Sequence, residues 1–116
     1  MAGVQRFFIG IDDLARARGA NAELSFHGDS AGGFAAALQA ALCEPALFER
    51  WRNLQPDPDA VDPGLGATDA AATVSAKQQD LHIDVTVATR LPHAILRHRL
   101  NLLVGTHWTL RDVKGA

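Results

Sequence analysis

Three groups of residues in this chain have the types and spacing that chemistry uses. The first is the stretch SFHGDSAGGFAAAL, residues 25–38, in which Gly28-Asp29-Ser30-Ala31-Gly32 fits the pattern G-x-S-x-G. A serine at the centre of that pattern is a candidate nucleophile, because a sharp strand-to-helix turn exposes its hydroxyl. The second group is a pair of His-x-Asp spacings, His27-Gly28-Asp29 and His82-Ile83-Asp84. Residues i and i+2 of a strand point the same way, so His82 and Asp84 share one face. With His27 from a neighbouring strand they would form a two-histidine, one-carboxylate metal site. The third is the segment 92–104, PHAILRHRLNLLV, with His93, Arg97, His98 and Arg99.

Each group also has a plain structural explanation. Asp29 or Ser30 can cap the helix that begins at about residue 32, by accepting a bond from a free backbone amide. The glycines let the chain turn sharply into that helix. GDSAGG followed by FAAAL resembles the nucleophile turn of the hormone-sensitive-lipase branch of the α/β-hydrolases. The resemblance covers about eleven residues, flagged by the same strand–turn–helix pattern. It implies Ser30 as nucleophile, the Ala31 amide as an oxyanion donor, and an acid then a histidine downstream. Asp84 with His98 or His107 keeps that order. The chain departs from the family in size, since 116 residues are too few for its large parallel sheet, and it has no HGGG-type segment upstream. The helix start is therefore the reading adopted for Ser30. An open, water-facing sheet surface is the corresponding reading for His82 and Asp84.

The basic helix asks a sharper question. At 100° per residue, Arg99 falls about 40° from Ile95 and about 40° from Leu103, inside the apolar arc. Either the core is the Leu96-Leu100-Leu103 stripe and Arg99 snorkels past it, or Arg99 meets a carboxylate or an anionic ligand in a semi-buried pocket or a dimer seam. A buried guanidinium needs a partner, and Asp84 and Glu23 are the candidates.

The elements that must position these residues can be read from punctuation and period. VQRFFIG (4–10) reads as a strand, and DDLARARG (12–19) as a short helix capped by Asp12 or Asp13 and ended by Gly19. AELSFHG (22–28) alternates Leu24 and Phe26 with polar residues and reads as a strand. Phe34, Leu38, Ala41 and Leu42 form one face of a helix over about 32–43. Pro45 then opens a second helix, PALFERWRN (45–53). Residues 53–72 hold three prolines, two glycines and four aspartates and no basic residue, the composition of a long acidic loop. A hairpin follows, its second arm alternating Leu81, Ile83, Val85 and Val87 with His82, Asp84 and Thr86, and its turn near Gln78-Gln79-Asp80. Pro92 opens the basic helix, Gly105 closes it, and THWTLRDV (106–113) is the last strand. From residue 22 onward the principal order is strand, helix, strand, strand, helix, strand. That predicts a single α+β domain over 1–116 of the ferredoxin-like, split βαβ kind, an antiparallel sheet of four to five strands with helices on one face.

Composition narrows the function. Apolar residues are 47% and charged residues 21%, with net charge −2. That balance argues against nucleic-acid binding through bulk charge. The scarcity of aromatics, with no tyrosine, argues against base stacking. The charge is unevenly spread: residues 1–84 carry six Lys/Arg against twelve Asp/Glu, and residues 85–116 carry five against one. Cys43 is the single cysteine and is expected to be a buried, inert thiol in a reducing compartment. No apolar run is long enough to span a membrane, and no signal peptide is evident. The expectation is a small cytoplasmic binding or protein-interaction domain without cofactor or identifiable catalytic machinery. It would form a homodimer and bind another protein or a small anionic ligand around Arg99, Arg97, His93 and His98. A hydrolase using Ser30, or a metal-dependent enzyme using His82 and Asp84, is the alternative.

Overall fold

Alternating apolar residues drive the two central strands. In β1 (Gln5–Asp12) Phe7, Ile9 and Ile11 are buried, and in β3 (His82–Thr89) Ile83, Val85 and Val87 are buried. Successive side chains of a strand point to opposite faces, so these six residues make one apolar sheet surface. Two helices cover it. α1 (Ala31–Cys43) brings Phe34, Leu38 and Leu42, and α3 (His93–Val104) brings Ile95, Leu96, Leu100 and Leu103. Each fully buried side chain of this size contributes on the order of 2 kcal/mol. α2 (Ala46–Asn53) follows α1 directly and buries Phe48.

The computed structural model describes residues 3–115. Its four strands are antiparallel in the order β2-β3-β1-β4, where β2 is Thr73–Gln79 and β4 is Trp108–Gly115. The class is α+β, with helices on one face and the other face open. β1 pairs with β4 through a bulge, because Phe8 stands opposite Asp112 while Ile9 stands opposite Leu110, leaving Arg111 as the extra residue. Among the described residues no single helix is long and apolar enough to cross a membrane.

Three expectations are corrected. Residues 22–28 are not a strand. Both sides of β1 are already taken, by β3 and β4, and Leu24 and Phe26 reach inward from a turn instead. The first strand of the split βαβ order is thus 5–12, and among the described residues the sheet has four strands, within the expected four to five. DDLARARG forms only a single 3-10 turn, Leu14–Arg16, since the chain leaves β1 through Asp13 in a left-handed conformation with no side-chain cap. Leu81 is 87% exposed rather than inward, because it belongs to the tight turn with Asp80, whose φ is 52°.

The acidic segment is held down without regular structure. It makes 3-10 turns at Pro58–Ala60 and Pro63–Gly66, each begun by a proline. Asp69 clasps its far end: the carboxylate accepts from Thr89 Oγ1 (2.9 Å), Arg90 N (2.9 Å) and Ala71 N (3.0 Å), while Asp69 N donates to Leu42 O (2.8 Å). These bonds, chiefly the one from Arg90 N, outweigh partial desolvation and hold the Asp69 carboxyl below its ordinary value.

Candidate functional site

The helical arc that includes Arg99 does what its position demands: the side chain is fully buried, the bulkiest such group in the protein. Arg99 therefore does not snorkel. No carboxylate lies within 4 Å of its guanidinium among the described residues, so neither Asp84 nor Glu23 pairs with it. Its partners are uncharged. Nη1 donates to Nδ1 of His98 (2.6 Å), and Nη2 donates to the Leu65 carbonyl in the 63–66 turn (2.6 Å). The guanidinium carbon sits 5.1 Å from the centre of the Phe48 ring, a cation–π contact from α2. Its Nε has no hydrogen-bond partner, and neither does Nε2 of His98.

His98 is the second member of the site. Since Nδ1 accepts from Arg99, the ring proton resides on Nε2 and the imidazole is neutral. The Trp51 ring meets it edge-on at 4.4 Å, and Phe48 packs at 6.2 Å. Burial, reinforced by the neighbouring Arg99 charge, lowers the His98 pKa to about 4. Burial also pushes the Arg99 guanidinium below its ordinary value, although a guanidinium keeps its proton in proteins.

The cover is the segment between α2 and β2. Gly66 lies flat on the Phe48 ring, where a Cβ would come within 2.7 Å of it. A cavity of about 250 Å³ adjoins the same ring, between α2 and the 58–66 segment, with Arg52 and Asp59 in its wall. Arg52 is paired there with Glu49 (3.7 Å) and Asp59 (3.6 Å), so the outer wall sets two carboxylates on one arginine, while the inner arginine has no charged partner. Sequence reasoning found Arg99 and His98 but missed Phe48, Trp51 and Leu65. Two aromatics at i and i+3 in a chain with few aromatics were the available signal.

The remaining candidates lie apart. His93 is exposed and stacks on Phe7 at 6.1 Å, and Arg97 is exposed on the outer side of α3. Ser30 caps α1, its hydroxyl accepting from Gly33 N at 3.0 Å from an extended backbone. No histidine hydrogen-bonds it. Asp84 cannot join it, since it faces away from the helices, on the open side of β3. His82 contacts Asp84 there (3.3 Å), but His27 is elsewhere, with Nε2 2.6 Å from Ala22 O. No group of three His, Cys, Asp or Glu among the described residues is placed to hold a metal ion. A cleft of about 360 Å³ between α1, α2 and residues 23–28 is walled by Ala37, Ala40, Ala41 and Leu47, with Glu44 and Arg50 at its rim. Cys43 is half-buried, and its thiol donates to Ala72 O at 3.4 Å. No family model, no curated protein and no solved structure matches the chain.

Proposed function

We propose that the protein is a binding domain that takes a small oxyanion against Arg99, beneath the 58–66 segment. One observation carries this reading: a fully buried guanidinium whose partners are all uncharged, with its Nε and the adjacent His98 Nε2 both lacking acceptors. A buried cation without a counter-charge is costly, and an anion relieves that cost. Carboxylate and phosphate oxygens match the fork of guanidinium donors, and His98 Nε2–H offers one more. The Leu65 carbonyl occupies part of that fork, so binding requires the segment to lift from Phe48. Between α2 and the Asp69 clasp the 58–66 stretch is held by its two 3-10 turns and the Arg52 Nε–Pro58 O bond (3.0 Å), fewer bonds than the sheet has to break.

The element order and the placing of β1 between β3 and β4 support the ferredoxin-like, split βαβ layout, with α2 as an addition after α1. The lone cysteine fits a reducing, cytoplasmic setting.

Trp51 supplies the test, since its ring rests on His98. In a Trp108→Phe background, acetate and inorganic phosphate are titrated at constant ionic strength against chloride, following Trp51 emission. A saturable change is expected, and it disappears in Arg99→Met, which keeps the volume and folds by circular dichroism. No response to either anion, or an equal response in Arg99→Met, overturns the reading.

A further inference from the structure

The sheet ends in two edge strands, β2 and β4, each with one amide bonded to a side chain of the same chain. In β2 the Val74 amide donates to Oε1 of Gln39 from α1, and in β4 the Val113 amide donates to Oδ1 of Asp112 (2.9 Å). The outer edge of β4, eight residues long, pairs with no strand among the described residues. Unpaired strand edges of this length are templates for further pairing.

The bulge decides how β4 can pair with itself. Phe7 and Ile9 point to the helices, so Phe8 and Gly10 face the open side. Thr109 and Lys114, opposite Gly10 and Arg6, share that open side, and so does Asp112, opposite Phe8. Arg111 joins them, because its guanidinium lies over Gly10, in space that a Cβ there would take. Leu110 and Val113, opposite Ile9 and Phe7, are on the helix side. Arg111 and Asp112 are thus consecutive residues on one face.

An ordinary strand pairs with its own copy only in registers that place a residue opposite itself or opposite one of like parity. In β4 the registers centred on 111 or 112 would set Arg111 against Arg111, or Asp112 against Asp112, and like charges directly opposite are unfavourable; one centred on Val113 sets Asp112 against Lys114 but leaves Arg111 without a charged partner. The extra residue opens another register, centred between 111 and 112. There Leu110 meets Val113, Thr109 meets Lys114 and Arg111 meets Asp112, each pair on a common face. Val113 is 39% exposed in the single chain and gains cover from the pairing. A net charge of only −2 per chain opposes association weakly.

We propose that a second copy of this chain pairs with β4, edge to edge and antiparallel, with Arg111 of each copy opposite the partner's Asp112. The two four-stranded sheets then join into one of eight strands with a twofold axis perpendicular to it. The seam is the β4 edge.

Sedimentation equilibrium on the full chain tests this with a charge-swap set. The unaltered protein is a dimer. Arg111→Asp and Asp112→Arg each bring like charges together twice and raise the dimer Kd roughly tenfold or more. The double swap Arg111→Asp/Asp112→Arg restores the pairing to within about threefold of the original. An equimolar mixture of the two single variants forms a heterodimer tighter than either homodimer, a result that damage to the fold does not produce. A protein that stays monomeric at millimolar concentration overturns the proposal. So does a dimer indifferent to all three variants.

Discussion

Acid should loosen this protein through His98. At neutral pH its Nδ1 accepts from Arg99. A proton on that nitrogen removes the acceptor and sets two cations side by side. The folded-state pKa is about 4, against 6.5 for an unhindered histidine. The sign follows from linkage: as pH falls below 6.5 the unfolded chain takes up the proton first, so stability is full above about 6.5 and is lost progressively down to about 4. A separation of this size is worth roughly 3 kcal/mol in total, of which about 2 kcal/mol has gone by pH 5. That is a large part of the 5–15 kcal/mol typical of a domain. The control is His98→Gln, whose amide oxygen can still accept from Arg99 but does not titrate. Urea unfolding of both proteins at pH 7.5, 6, 5 and 4.5, followed by circular dichroism, gives the difference in stability. Carboxylates common to both proteins cancel in that difference, which should shift by about 2–3 kcal/mol in favour of the glutamine variant between pH 7.5 and 4.5. A difference that stays flat over this range refutes the reasoning.

Two further outcomes follow from the geometry. Ser30→Ala should cost about 1 kcal/mol in urea unfolding, the worth of a helix cap. Hydrolysis of a short-chain ester by the unaltered protein that vanishes in Ser30→Ala would instead reinstate the nucleophile. Asp69→Ala removes the acceptor of three bonds and should cost about 1–3 kcal/mol in the same assay. Because the folded Asp69 pKa is depressed, its contribution is present above the ordinary carboxylate value and fades as pH falls through the folded one. Unaltered stability of Asp69→Ala at pH 7 would mean that the clasp does not hold the 53–72 segment.

What the sequence made legible were the elements with strong periods and clear punctuation. α1 and α3 repeat their apolar residues at helical spacing, Pro92 and Gly105 bracket α3, and β3 alternates throughout. Residues 22–28 misled because the alternation of Leu24 and Phe26 reports only that both reach the core. Phe26 N donates to Leu103 O at the end of α3, not to a strand. The period of β3 was followed one residue too far, into Leu81, since nothing local marks where a ladder yields to a two-residue turn. Arg99 was visible as a charge inside an apolar arc. Its surroundings were not, because the Leu65 carbonyl and the Phe48 and Trp51 rings come from segments whose spacing to α3 no period encodes.

The position of Cys43 has a kinetic consequence. Its thiol touches the carbonyl of Ala72, three residues beyond the Asp69 clasp and immediately before β2 begins. The rate at which a thiol reagent labels this single, half-buried thiol therefore rises each time the junction between the acidic segment and the sheet comes apart. When reclosing outpaces labelling, the observed rate divided by that of a free thiol sets an upper bound on the fraction of time spent open. The chain thus carries its own reporter of opening where the acidic segment meets the sheet.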